Sequence, residues 1–273
     1  MTGKVFDRIE GMKTVATKTE LRLIEGLKLI PREELIYMSI SELAMQLDVA
    51  EATLLRFCRK LDYRGFQDFK LSISQELGAE EPKDTQSCAK RIADDMVDTI
   101  MQTYKTLSYE DCLEVARLIL KKQRVYIFGV GNSAIAPAMF KSRLIRAGIL
   151  VENVSDPHMQ TIIVSNLNVD DIVILVSVSG ATKDILNLAE LAKKNGSTIV
   201  VITNYDKSPL AKYADYTFFT YRKELAYEGG SLTTVVAQSY IVDMLSTAVY
   251  ECLGSESNKR ALKASMAVSD KAI

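Results

Sequence analysis

Hydrophobic residues follow two different patterns along this 273-residue chain, and the change falls near residue 124. Before that point apolar positions recur every three or four residues, as at Leu23, Leu27 and Ile30, which is the spacing of amphipathic helices. From Arg124 onward, short continuous apolar runs alternate with amphipathic segments. Such runs are typical of strands in a parallel sheet whose two faces are covered by helices. The pattern therefore predicts an all-α N-terminal domain followed by an α/β domain.

The α/β part is predicted to contain five strands in one mostly parallel sheet. The candidate strands are Val125–Phe128, Leu150–Val154, Ile172–Val176, Thr198–Thr203 and Tyr216–Thr220. The candidate helices are Ala134–Arg146, His158–Asn166, Asp184–Asn195 and Val235–Cys252. Residues 78–87 are polar and carry Gly and Pro, which is typical of a linker. The predicted domains are 1–77, 88–253 with leading helices, and a tail over 254–273 that is either a short helix or a loose segment.

Two short helices separated by a very tight turn are predicted near the middle of the first domain. The first covers about two turns over residues 41–47, the turn covers 48–50, and the second helix covers 51–61. This is the geometry of a helix-turn-helix, in which the second helix enters the major groove of DNA.

The second helix has one apolar and one polar face. Leu54, Phe57 and Leu61 share the stripe that faces the core, which leaves the other residues toward solvent. A few bases on a helix often mark only a solvated surface. The hypothesis of function is that this face contacts duplex DNA, and its candidate residues are Thr53, Arg56, Arg59 and Lys60.

Composition limits the partners that the chain can attract. With 34 Lys and Arg against 35 Asp and Glu, the formal net charge is −1, so an attraction to nucleic acid must be local. The four cysteines are far apart, without a C-x-x-C pair, which favours reduced thiols over a disulfide framework or a zinc site. The N-terminus has no signal-peptide pattern, and no apolar run approaches the roughly 20 residues of a membrane span. We expect a cytoplasmic protein without metal, cofactor or membrane contact.

Two turns between a strand and a helix have the chemistry of anion sites. The third predicted strand leads into S-V-S-G-A-T, where hydroxyls and a glycine precede a helix, and the first leads into G-V-G-N-S. Free N–H groups and the positive end of a helix dipole favour a phosphate at such turns. The candidate ligand residues are Gly131, Asn132 and Ser133 in one turn and Ser177, Ser179, Gly180 and Thr182 in the other.

The G-V-G-N-S turn alone is a weak signal and the S-V-S-G-A-T turn a better one, because turns in α/β proteins are often polar or glycine-rich for packing reasons. The first one also lacks the third glycine of a dinucleotide-binding fingerprint. Two such turns at the carboxyl ends of strands in one sheet are more informative, since ligands of open α/β sheets bind at that edge. The pair predicts a pocket for a phosphorylated small molecule.

The N-terminal segment resembles the DNA-binding domain of the RpiR family of bacterial transcriptional regulators. The resemblance covers about residues 1–77 and is carried by S-E-L-A-M-Q-L and by R-F-C-R-K-L-D-Y-R-G-F-Q-D-F-K over Arg56–Lys70. Two positions depart from the family pattern. Asp62 stands where glycine is usual, and Ala50 stands where a serine helix cap is usual, which costs on the order of 1 kcal/mol.

Residues 105–253 resemble the sugar isomerase (SIS) domain, an αβα sandwich that holds phosphosugars between these two loops. Ser133, Ser177, Ser179 and Thr182 match the phosphate-holding hydroxyls of that domain, whereas Val178 occupies a position that is often polar in the enzymes.

Three further residues are candidates for contact with the sugar. In SIS isomerases a later glutamate is the base, and Glu224 and Glu228 lie near the expected place; either is equally compatible with a solvated loop. His158, the only histidine, follows Asp156-Pro157 at the start of a helix and has either a ligand contact or a purely structural role.

Together the two resemblances imply a DNA-binding transcriptional regulator of carbohydrate metabolism whose effector is a phosphorylated sugar. One recognition helix reads few base pairs, so we expect a homodimer or homotetramer on a palindromic operator. We do not expect an enzyme, because no catalytic base is securely placed. The alternatives are a phosphosugar isomerase and a ligand sensor whose N-terminal helices bind another protein.

Overall fold

The computed structural model describes residues 5–36, 38, 40–77, 85–221, 232–267 and 269. The chain divides into two compact units, one with the N-terminal helices up to Arg91 and one that begins at Ile92 and contains the sheet. Each unit has a hydrophobic core of its own.

The first unit is helical, as predicted. A capping box begins its second helix: the Thr17 hydroxyl accepts from the Glu20 N–H at 3.3 Å, and the Glu20 carboxylate accepts from the Thr17 N–H at 2.7 Å. A 3-10 turn at Met12–Val15 separates the first two helices. The helices are α1 (Val5–Gly11), α2 (Lys18–Leu29), α3 (Arg32–Leu35), α4 (Ile40–Gln46), α5 (Glu51–Lys60) and α6 (Phe66–Leu77).

The helix-turn-helix prediction is confirmed by α4 and α5. Leu54, Phe57 and Leu61 are all buried in the core of this unit, as their spacing requires. Asp62, directly after α5, has φ +67°, a left-handed conformation that glycine adopts freely and that aspartate tolerates better than most residues. The backbone therefore explains why glycine is the usual residue at this position.

Helix α7 (Thr85–Thr106) begins inside the segment predicted as a linker and includes the point after Arg91 at which the two units are divided. Residues 78–84 of that segment lie outside the described residues, and 85–87 are helical. The tail, for which the sequence left a short helix and a loose segment open, contains a helix. The remaining helices are α8 (Tyr109–Lys121), α9 (Ile135–Ile145), α10 (Pro157–Ser165), α11 (Lys183–Lys194), α12 (Leu232–Leu253) and α13 (Ser255–Met266).

Within the described ranges, five strands form one sheet in the order β2-β1-β3-β4-β5, and every neighbouring pair is parallel. The α/β prediction is therefore confirmed, with a sheet that is parallel throughout. The predicted strand Leu150–Val154 is shorter than expected, because only two of its residues pair. The strands are β1 (Arg124–Gly129), β2 (Val151–Glu152), β3 (Asp171–Val176), β4 (Thr198–Thr203) and β5 (Tyr216–Phe219).

Helices cover both faces of the sheet, which explains why its strands are apolar without alternation. Ile127 and Ile174 pack into a core formed with α8, α9 and α12. Phe128 and Leu175 point to the other face, into a core formed with α10 and α11.

One helix among the described residues, α12, is long and apolar enough to cross a membrane by length and composition. Most of its apolar window, 61%, is buried inside the protein. Five of its buried residues belong to the core that covers one face of the sheet, namely Ile241, Val242, Leu245, Ala248 and Val249. This burial is typical of the core helix of an α/β domain.

Candidate functional site

The two hydroxyl-bearing turns leave the same edge of the sheet from neighbouring strands. Gly129, the last residue of β1, is paired with Val176, the last residue of β3. The strand order reverses its direction between β1 and β3, so the helices that follow these strands lie on opposite faces. Such a switch point opens a crevice beyond the carboxyl ends of the strands, where ligands of this architecture bind.

The first turn is a 3-10 turn over Gly131–Ala134. It folds back so closely that a Cβ on Gly129 would lie 2.1 Å from the carbonyl oxygen of Ser133. Gly131 has φ +58° and is exposed, as is Asn132. Ser133 is 9% exposed, and its hydroxyl accepts a hydrogen bond of 3.1 Å from the Gln238 amide.

The second turn is closed by its own hydroxyls. The Ser177 and Thr182 hydroxyls lie 3.1 Å apart, and the Ser179 hydroxyl accepts from the Ala181 N–H at 3.2 Å. Gly180 has φ +56°, and a Cβ there would lie 2.4 Å from Ser208. Only glycine therefore fits this position without displacing a neighbour.

The start of α11 faces this turn without a side-chain cap. Thr182 is the N-cap residue, but its hydroxyl bonds to Ser177 and not to an α11 N–H. The first N–H groups of a helix carry partial positive charge and need acceptors. An anion at this edge is the partner that their geometry favours.

The end of β4 supports the second turn, which the sequence did not predict. The Thr203 hydroxyl and the Asn204 N–H both donate to the Val178 carbonyl, at 3.2 and 3.0 Å. The Leu210 N–H donates to the Gly180 carbonyl at 3.0 Å. The signal that could have revealed this contact in the sequence is the polar pair Thr203-Asn204 at a third strand end.

The remaining predicted ligand residues are only partly described. Glu224 and Glu228 lie outside the described residues. His158 is exposed in the first turn of α10, which follows β2 and so starts at the same edge of the sheet. The helix cap there is supplied by Asp156, whose carboxylate accepts from the Met159 N–H at 2.8 Å.

The DNA-binding candidates occupy the outer side of α5. Arg56 and Arg59 are exposed, and the Arg56 guanidinium donates to the Thr53 hydroxyl at 3.2 Å. Lys60 is held differently, because its ammonium lies 2.9 Å from both carboxylate oxygens of Glu20 on α2. This ion pair lowers the pKa of Glu20, with the hydrogen bond from Thr17 as the next cause.

The described cysteines are free thiols, and two of them are fully buried. Burial raises the pKa of Cys58 and of Cys112 to about 12, so neither is a nucleophile near neutral pH. Across the described ranges there is no group of three His, Cys, Asp or Glu side chains placed to hold a metal ion.

The chain combines a helix-turn-helix unit with a parallel sheet that has two hydroxyl-bearing turns at its switch point. This combination defines the class of two-part transcriptional regulators, in which one domain binds DNA and the other binds a ligand. Two domain families match this chain, the helix-turn-helix domain of the rpiR family over residues 3–80 and the SIS domain over 118–248. An HTH-type transcriptional regulator of Clostridium perfringens is 30% identical over 97% of this chain and 98% of its own length. The chain belongs to the RpiR family of HTH-type transcriptional regulators, with an SIS domain after the DNA-binding domain.

Two solved structures share the fold. The NanR protein of Vibrio vulnificus, complexed with ManNAc-6P, superposes with a TM-score of 0.84 and 24% identity over 97% of this chain and 98% of that one. A putative sugar-phosphate isomerase of Listeria monocytogenes superposes with a TM-score of 0.56 and 20% identity over 63% of this chain and 93% of that one. The second likeness places an enzyme and a regulator on the same SIS-type sheet.

Proposed function

We propose that this regulator binds a phosphorylated sugar at the switch point of its sheet and alters its hold on DNA in response. The observation that carries the proposal is the register of β1 against β3, which brings two hydroxyl-bearing turns to adjoining strand ends. The uncapped start of α11 adds N–H donors to the hydroxyls of Ser177, Ser179 and Thr182. The ManNAc-6P bound to the NanR protein is a phosphosugar on the same fold, which supports this ligand class.

The proposed ligand residues divide by their chemistry. The phosphate needs hydrogen-bond donors around several of its oxygens. In the proposed site these donors are the backbone N–H groups beside Gly131, Asn132 and Gly180, together with the hydroxyls of Ser133, Ser177, Ser179 and Thr182. His158, Glu224 and Glu228 are the proposed contacts to the sugar, whose hydroxyls require acceptors as well as donors.

We propose a role without catalysis for the SIS domain of this chain. The RpiR-family relatives are named transcriptional regulators, and the DNA-binding domain has no use in an isomerase. Isomerisation of hexose and pentose phosphates by the purified protein, lost in Glu224→Gln or Glu228→Gln, would establish the enzyme instead.

On the DNA side we propose that α5 enters the major groove, with Arg56 and Arg59 reaching bases or phosphates and Thr53 and Lys60 beside them. Specificity requires more than one such helix, so the proposed assembly is a homodimer or homotetramer with half-sites about 34 Å apart or a multiple of that. The proposed location is the cytoplasm, where a bacterial operator lies.

A thermal-shift screen tests the effector proposal, because a ligand that binds only the folded state raises the melting temperature. Hexose and pentose phosphates, including ManNAc-6P, are compared with the same sugars without phosphate. A rise with the phosphorylated member of a pair only is the expected result.

The site is then tested with Ser179→Ala, which removes one hydroxyl of the second turn. Weaker binding by calorimetry with unchanged melting of the free protein is expected. Ser165→Ala is the matched control, since Ser165 is an exposed hydroxyl at the end of α10, away from this edge. Unchanged affinity in Ser179→Ala would show that the ligand binds elsewhere.

A further inference from the structure

We infer that Gln238 is a positioning residue for the effector site, acting through Ser133. Its amide holds the Ser133 hydroxyl in the orientation in which the hydroxyl proton is offered to a phosphate oxygen. The inference rests on the proposed function, and it adds a residue of α12 that neither strand-end turn contains.

The contact is direct and shielded from solvent. The Nε2 atom of Gln238 lies 3.1 Å from the Oγ atom of Ser133, and the two residues expose only 1% and 9% of their surface. Ser133 is otherwise tied to its own turn, where its N–H donates to the Val130 carbonyl at 3.2 Å. Gln238 is therefore the side chain that sets how this hydroxyl rotates.

The direction of the hydrogen bond decides what the hydroxyl can do next. An amide NH₂ group can only donate, so Ser133 accepts with a lone pair and keeps its single proton for another acceptor. No other hydrogen bond of that hydroxyl is present among the described residues. Phosphate oxygens at neutral pH are acceptors, and a proton already directed outward needs no reorientation when the anion arrives.

Stability does not explain a glutamine at this position. The Oε1 atom of Gln238 is buried and has no hydrogen-bond partner within the described ranges. A buried carbonyl group without a partner destabilises the folded state, and methionine of similar size avoids this loss. Buried polar atoms without hydrogen-bond partners are expected at functional sites, and Gln238 fits this description.

The test is a double-mutant cycle of Gln238→Met and Ser133→Ala, with ManNAc-6P and inorganic phosphate as the calorimetric probes. Gln238→Met is expected to melt no lower than the parent and to bind ManNAc-6P about five- to tenfold more weakly, since about 1 kcal/mol is the usual contribution of one hydrogen bond. In Ser133→Ala the same change at Gln238 is expected to have no further effect, because its partner is already missing.

Gln160→Met is the matched control for stability. Gln160 is also a buried amide with an unpartnered oxygen, but its nitrogen donates to the backbone carbonyls of Gly129 and Val154. Those carbonyls cannot reorient when the donor is removed, so this variant is expected to melt lower than the parent.

Each outcome has one meaning. Three results would each overturn the role of Gln238 while leaving the proposed function standing. They are parental affinity in Gln238→Met, a lower melting temperature in that variant, and losses of ligand affinity that multiply in the double mutant. A parent protein that binds neither probe nor any phosphosugar of the screen would overturn both.

Discussion

Glycine at position 180 determines the shape of the second turn more than any hydroxyl in it. Its backbone is left-handed, with φ +56°, and Ser208 occupies the space that a Cβ would need. Gly131, in the first turn, has nearly the same φ of +58°, but nothing lies within 4 Å of the place of a Cβ. Substitution of Gly131 therefore tests only the free-energy cost of a left-handed backbone with a side chain. Substitution of Gly180 adds the cost of the steric contact with Ser208.

The first prediction compares alanine at these two positions. Gly131→Ala should cost about 1–2 kcal/mol of unfolding free energy, the usual penalty of a left-handed residue with a side chain. Gly180→Ala should cost more, since a side chain must also displace Ser208, and should abolish phosphosugar binding. Denaturant melts and calorimetry measure both effects. Equal destabilisation of the two variants would contradict the steric argument.

A second prediction concerns Glu20, which forms an ion pair with the exposed ammonium of Lys60. Glu20→Gln keeps the capping box, because glutamine also accepts from the Thr17 N–H, but it releases the ammonium of Lys60. We expect tighter operator binding and a steeper dependence on salt, measured by fluorescence anisotropy. Lys60→Gln is the control and should change both quantities in the opposite direction.

The ion pair between Glu20 and Lys60 also predicts the direction in which protein stability changes with pH. The pKa of Glu20 is lowered from its ordinary value of 4.5, first by Lys60. A group whose pKa falls on folding stabilises the protein above its unfolded pKa and loses that contribution as the pH falls through the folded value. Acid melts should therefore show less loss of stability below about pH 4.5 in Glu20→Gln than in the parent. Identical acid profiles would show that the ion pair does not persist in solution.

At the scale of elements, two helix starts in the DNA-binding unit differ in their caps. Thr17 caps α2 reciprocally with Glu20, whereas Ala50 at the start of α5 has an extended backbone and no side chain to accept from the helix. Ala50→Ser should therefore add about 0.5–1 kcal/mol to the stability of this unit. Ala52→Ser, at an exposed position inside α5, should give a small loss instead. Denaturant melts check both, and a gain from Ala52→Ser would contradict a capping effect.

The regular elements could be predicted because their signals are local. The run Ile172–Val176 is apolar throughout, and it lies in a strand that is buried on both faces. The spacing of Leu54, Phe57 and Leu61 gave the buried face of α5 for the same reason. Periodicity carries this information without knowledge of the rest of the chain.

The contacts that shape the site join residues far apart in sequence, so the sequence did not predict them. Lys60 meets Glu20 40 positions away, and Gln238 meets Ser133 105 positions away. The start of α7 at Thr85 was also missed, because the polar residues around it satisfied the pattern of a linker. Such features depend on packing, and no local rule specifies them.

At the scale of the whole molecule, the proposed function requires that the effector and the operator influence each other. A coupling free energy of about 1–3 kcal/mol would change operator affinity roughly 5- to 150-fold when ManNAc-6P or the true effector is added. Linkage requires that the operator change the affinity for the effector by the same factor. Anisotropy with and without the sugar, and calorimetry with and without the operator, measure the two factors; an operator affinity that the bound effector leaves unchanged would contradict the coupling.

Oligomeric state belongs to this scale as well. Light scattering of the free protein is expected to give a multiple of the 30.4 kDa chain mass, and footprints are expected to show half-sites related by a two-fold axis. A monomer that protects a single asymmetric site would contradict the proposed assembly.

One histidine in 273 residues has a practical consequence. Because His158 is the only histidine and is exposed in the first turn of α10, at the strand-end edge of the sheet, we expect its ring protons to give a single pair of imidazole lines in the proton NMR spectrum. The native protein thus contains a built-in spectroscopic reporter, whose resonance would follow the titration of a metabolite into the crevice without any label.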